Sequence, residues 1–187
     1  MEEFLLFFMS VFILFMIVNK INHNSKITSI KSEIDGRYYS VRRLQDAKEA
    51  ANKLAKINQN VLQLISTLDR NRKGVNKLIH NYNPSSLTET VKDAKYTSYS
   101  LNKGEKIAIC IRDIDDNFMD ENTILFVVIH ELSHVMTEEI GHPPIFWDNM
   151  KYLLEEAEKI NIYKPIDYSR FPQNYCGMEI NTTPYVF

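Results

Sequence analysis

The chain has 187 residues, a formal net charge of −2, 44% hydrophobic and 25% charged residues, and two cysteines. That length suits one domain plus an appendage, and the composition excludes a disordered chain. The near-neutral charge gives the molecule as a whole no electrostatic preference for nucleic acid. Two cysteines are too few for a disulfide scaffold, so Cys110 and Cys176 are expected as reduced thiols, with a single Cys110–Cys176 bridge as the alternative.

The first element is the apolar run "FLLFFMSVFILFMIV", Phe4 to Val18, with Ser10 as its only polar residue. It is apolar on every face, which argues against an amphipathic core helix. The spacing predicts a transmembrane helix over residues 1–22, with Lys20 reaching to the interface and a lipid bilayer as partner. A cleaved signal peptide is the alternative, but Glu2 and Glu3 lead the run and no small-x-small site follows it. Acids before the run and Lys20, Lys26 and Lys31 after it place the rest of the chain on the cytosolic side of a single-pass membrane protein. Residues 23–34 read as a polar tether, and residues 35–187 as the folded domain.

Asp35-Gly36 is a turn signal, followed by a β-prone run from Arg37 to Val41. Leu44, Ala47, Ala51, Leu54, Ile57 or Asn58, Val61, Leu64 and Leu68 then recur at three- and four-residue steps, which predicts a long helix. Residues 37–77 hold ten Lys/Arg against three Asp/Glu, a net +7. The plain reading is the solvated face of that helix; the sharper one is a surface for phosphate backbone or anionic lipid.

Ile107, Ile109 and Ile111 alternate with Ala108, Cys110 and Arg112, the period of a β-strand. The acidic stretch "DIDDNFMDEN" lacks the glycine of a calcium loop and has Ile124 where a closing glutamate belongs, so it reads as a solvated connection with Asp120 or Asn122 capping the next helix.

That helix is expected over about 123–140. Ile124 to Ile129 are all apolar, so it is buried, and an interior His130 and Glu131 are costly unless bound to something. His130 and His134 lie four apart, within about 40° on one helix face, where two imidazoles can grip one metal ion. Glu131 is turned about 100° away from His130, so it leans over the metal instead of ligating it. This is H-E-x-x-H, whose mechanics are two zinc ligands and a general base. Gly141 supplies a left-handed turn after the helix that returns His142 toward His134. Three nitrogen ligands leave a fourth position for water, the design of a catalytic zinc site. Phe146, Met150, Leu153 or Leu154, Ala157 and Ile160 form one apolar face of a following helix.

"HELSHVMTEEIGHPPIFW" resembles the WLM and SprT-like zinc metalloproteases, whose pattern is H-E-x-x-H, a short insert, a glycine-associated histidine, then an aromatic and a helix. The strand "KIAICIR" looks like the one these proteins place beside the active-site cleft. The match is specific over about 105–160, and small membrane-anchored WLM-like proteins of large DNA viruses are similar in size and residue usage. Metzincins fit less well, since their third histidine follows sooner. The resemblance implies an α+β fold: a zincin-like small mixed sheet packed on a long helix and the HExxH active-site helix, here with the N-terminal transmembrane helix added. It implies one catalytic Zn²⁺ on His130, His134 and His142, Glu131 as general base, and hydrolysis of protein or peptide substrates in extended form. Ile107, Ala108, Ile109, Cys110 and Ile111 are the expected substrate-binding edge strand, and Tyr175 the candidate oxyanion stabiliser. The chain has no room for the DNA-binding or ubiquitin-related segments of the better-known relatives. Two other readings stay open: a non-catalytic membrane-tethered protein with a stabilising zinc, and a DNA-associated protease using the basic helix.

Overall fold

The computed structural model describes residues 2–186, with side chains at 4, 6–16 and 26–186. A five-stranded sheet has the order β1-β2-β3-β5-β4, built from β1 (Ile27–Lys31), β2 (Tyr38–Arg42), β3 (Leu87–Glu89), β4 (Tyr99–Leu101) and β5 (Lys106–Ile109). The pairs β2–β3 and β3–β5 are parallel, while β1–β2 and β4–β5 are antiparallel. The sheet is therefore mixed, as expected. The helices are α1 (Glu2–Lys26), α2 (Ala47–Thr67), α3 (Val75–Asn81), α4 (Glu121–Met136) and α5 (Pro144–Lys159), and a hairpin of β6 (Gln173–Tyr175) and β7 (Met178–Ile180) follows.

The helix α2 owes its position to its apolar stripe. Ala51, Leu54, Val61 and Leu64 have no exposure and pack against the sheet. Asn58 shares that buried face because Tyr39 and Tyr82 satisfy it: its amide donates to the Tyr39 hydroxyl at 2.9 Å and its carbonyl oxygen accepts from Tyr82 at 2.6 Å. Arg112 pins the start of α2 to the end of the sheet. Its guanidinium donates to both carboxylate oxygens of Asp46 at 2.7 Å and to Glu89 at 2.8 Å, and it stacks 4.0 Å from the Phe118 ring centre. A bidentate guanidinium–carboxylate pair fixes direction as well as distance. On the solvent side of α2, Lys48 pairs with Glu33, and Lys53 and Lys56 pair with Glu121, so part of the basic face is neutralised by its own fold.

Four expectations are corrected. Among the described residues no helix is long and apolar enough to cross a membrane, which removes the transmembrane helix. The helix α1 has 25 residues, but its apolar run spans only 15, or about 22 Å against a hydrocarbon core of about 30 Å. Residues 27–31, expected within the tether, form β1 and pair along their length with β2. Cys110 and Cys176 are joined in a disulfide between the end of β5 and the β6–β7 turn; two cysteines that build no scaffold can still make one clamp. The motif helix ends at Met136, not near 140, because Thr137 turns extended at φ −92° and ψ 137°.

Candidate metal centre and cleft

The site begins with α4. Asp120 caps it, accepting from the Thr123 amide at 2.8 Å, and Ile124, Val128, Ile129 and Leu132 seat it in the core without exposure. That burial fixes the roll of the helix, so His130 and His134 face outward into one cleft. Beyond Met136 the chain runs irregularly through Gly141, whose φ of +82° supplies the left-handed turn expected there, four residues later than a helix cap would sit. His142 returns to the other two. The three rings form a near-equilateral triangle with centroid separations of 4.9 Å, and their ligand nitrogens lie within 4.8 Å of one another. Phe146, on the first turn of α5 and fully buried, touches all three rings at 4.5–4.9 Å and forms the floor beneath them.

The donor set fits a metal of the zinc type. Nitrogen-only ligands exclude the oxygen-seeking calcium and magnesium. Burial and the neighbouring imidazoles depress His130 to about 3, and burial, His142 and Lys103 depress His134 to about 4. Both rings are therefore neutral at physiological pH, the form that offers a nitrogen lone pair. Glu131 stands beside the triangle, 5% exposed, and burial lifts its carboxyl to about 7 against the opposing pull of a backbone hydrogen bond from Ser100. The three histidines and Glu131 border a cleft of about 610 Å³, whose opposite bank carries Tyr99, Ser100 and Lys103.

Two other expected site elements sit differently. The strand expected at Ile107–Ile111 is β5, which ends at Ile109 and lies between β3 and β4 with both edges paired. Ile107, Ala108 and Ile109 are buried, and Cys110 and Ile111 lie past the strand end. None of the five offers a free ladder; the edge strand on the cleft is β4. Sequence reasoning missed β4 because it is only three residues long. Its signal was the loop: Asn102, Lys103 and Gly104 all take positive φ between "YSL" and "KIAI", a glycine-containing hairpin turn. Tyr175 lies against the site, but its hydroxyl donates to the Cys110 carbonyl at 2.8 Å and contacts Ser98 Oγ at 2.7 Å. Its proton is thus committed to holding the hairpin, not free for an oxyanion.

Lys103 was also missed. Its ammonium donates to the carbonyls of Thr137 at 2.9 Å, His134 at 3.3 Å and Glu139 at 3.4 Å, satisfying groups that the end of α4 leaves open. It thereby ties the β4–β5 turn to the segment that carries His134 toward His142.

Comparison with known proteins agrees with this geometry. The WLM domain family matches residues 33–174. An uncharacterised protein of Acanthamoeba polyphaga mimivirus is 33% identical over 168 residues, covering 84% of each chain. An uncharacterised protein of Invertebrate iridescent virus 6 is 26% identical over 160 residues, covering 80% of this chain and 87% of that one. Among solved structures, Wss1 of Saccharomyces cerevisiae superposes with a TM-score of 0.51 at 20% identity, covering 64% of this chain and 86% of that one, which is a likeness of fold. The histidine triangle, the mixed sheet and these matches together place the chain in the WLM family of zinc-metalloprotease-like proteins, alongside relatives from large DNA viruses.

Proposed function

We propose that the chain is a zinc-dependent metallopeptidase that hydrolyses peptide bonds in extended or unfolded protein segments. The observation that carries this reading is the convergence of His130, His134 and His142 within 4.8 Å beside a buried Glu131. Zinc held by the three imidazoles would supply Lewis-acid polarisation and a bound water acidic near neutral pH. Glu131 would serve as the proton carrier, accepting a proton at its carboxylate and releasing it to the departing amine nitrogen. The Ser100 amide orients this carboxylate from the edge strand. The unpaired side of β4 offers main-chain groups to a peptide that can extend beside it, which favours disordered substrate with weak sequence preference.

The test is zinc content and peptide-library cleavage by the full chain, run beside Glu131→Gln. One zinc per chain, turnover by the parent, and a loss of about 10²–10⁴-fold in the variant with zinc retained are expected. Zinc-loaded parent that cleaves nothing across a broad library, or a variant as fast as the parent, refutes the reading; the first result leaves a structural zinc in its place.

A further inference from the structure

Past His130 and Glu131 the cleft continues into a second cavity of about 220 Å³. Its inner walls are Phe126 and Val127 of α4 with Trp147 and Met150 of α5, and its outer wall is Met178 and Ile180 of β7. These faces are carbon or sulfur. Polar side chains join them at Ser98, His130 and Glu131 on the side of the metal cleft, and at Thr97, Asn181, Thr182 and the exposed Glu179. The outer wall is a built feature: the Cys110–Cys176 disulfide fastens the hairpin turn, and the buried Tyr175 anchors its first strand through Cys110 and Ser98. Met178 and Ile180 lie beyond residue 174, where the WLM match ends.

We propose that this cavity is a specificity pocket that takes a large aliphatic side chain, of leucine or methionine size, from the substrate residue adjoining the scissile bond, with Met178 and Ile180 as its specificity-determining residues. The inference rests on the peptidase reading for the position of that bond. Three of the cavity's lining residues, Ser98, His130 and Glu131, also line the metal cleft, so a peptide seated there has a neighbouring side chain within reach. The volume exceeds the roughly 150 Å³ of an apolar cavity that accepts benzene. An aliphatic group gains by leaving water for these walls. No Lys or Arg lines the cavity, and Glu179 is exposed at its mouth.

Trp147 is the chain's single tryptophan and lies on the pocket wall, so its emission reports occupancy directly. The experiment titrates zinc-loaded full-length Glu131→Gln with blocked serine–threonine hexapeptides that carry one Leu, Met or Ala. The Leu and Met peptides should shift Trp147 emission and bind at least about tenfold tighter than the Ala peptide. Filling the pocket by Ile180→Phe should abolish the Leu-over-Ala preference. Met178→Phe provides a second filling of the same wall should the first disturb the hairpin, with far-UV circular dichroism and zinc content as controls. Equal binding of Leu and Ala peptides, or a Leu preference that survives both fillings, overturns the pocket. The readout is binding to a chain without its base, so it stands apart from turnover. Parent chain that cleaves nothing while the Leu preference persists sinks the peptidase reading alone, and cleavage without Leu-over-Ala binding sinks the pocket alone.

Discussion

Lys103→Met should loosen the metal centre without touching a ligand. The ammonium lies 2.9 Å from the Thr137 carbonyl, with the His134 and Glu139 carbonyls at 3.3 and 3.4 Å. A hydrogen bond to a charged group contributes about 1.5–3 kcal/mol net. The two longer contacts add mainly the attraction of a cation for a helix C-terminus, about 0.3–1 kcal/mol. Methionine keeps most of the stem's packing and removes the charge with its donors, so the loss should be about 2–4 kcal/mol. For a chain of this size each kcal/mol is worth about 2–4 °C, which gives a fall of about 4–16 °C in Tm by circular dichroism. The segment from His134 to His142 also loses its tie to the β4–β5 turn, so zinc affinity by competition with a chromophoric chelator should fall with it. Lys103→Arg, which keeps the charge and the donors, should recover most of both. A Tm drop below 1 °C with unchanged zinc affinity would refute the idea that Lys103 braces the ligand segment.

His142→Ala should weaken zinc binding by orders of magnitude while the α4 pair remains, read by isothermal titration; chelation of the parent should lower its Tm, since a ligand present at 1,000 times its Kd stabilises by about 4 kcal/mol. Asp46 is held below the ordinary carboxylate range by hydrogen bonds from Arg112, with burial opposing. Its stabilising contribution is therefore present above the unfolded value of about 3.9 and is lost as pH falls through the lower folded value; Asp46→Asn should flatten the acid limb of Tm against pH below about 4. The Cys110–Cys176 bridge closes a loop with a sequence separation of 66, for which chain entropy predicts about 4 kcal/mol. Thiol titration of native protein should find no free thiol, and reductant should lower the Tm markedly.

The parts legible in the sequence were those encoded by long periodic patterns. The stripe from Ala47 to Leu64 is a helix, and the apolar run before His130 is the buried motif helix. The spacing of His130, Glu131, His134 and His142 was legible because helical geometry puts the first and third on one face, and a glycine turn can return the fourth. What stayed hidden depends on pairing between distant segments. Nothing local says that "KIAI" gains neighbours on both sides, because β3 arrives from residues 87–89 and β4 is too short to show alternation. The bond between Cys110 and Cys176 requires the hairpin to fold back across the sheet end, a long-range event with no local signature. Phe4 to Val18 read as a membrane span because the run is apolar on every face; the helix continues into Asn19, Lys20, Asn22, His23 and Asn24, and a span must be apolar along its whole length.

On the proposed peptidase reading, the cleft divides recognition between two elements with different demands. The β4 edge addresses main chain, which every peptide shares, and so cannot choose among sequences. It can choose among conformations, because a folded segment has already paired its N–H and C=O groups. The cavity beside Glu131 addresses one side chain and is indifferent to the rest. Glu131 sits where the two meet: Ser100 on the edge strand steadies its carboxylate, and the same carboxylate lines the side-chain cavity. A peptide held by only one element can pivot about it. A peptide held by both has its intervening bond fixed against the base, so the proper measure of their cooperation is kcat as well as KM. Shortening a substrate on the edge side or trimming its aliphatic side chain should each lower kcat, because either change frees the bond to move away from Glu131.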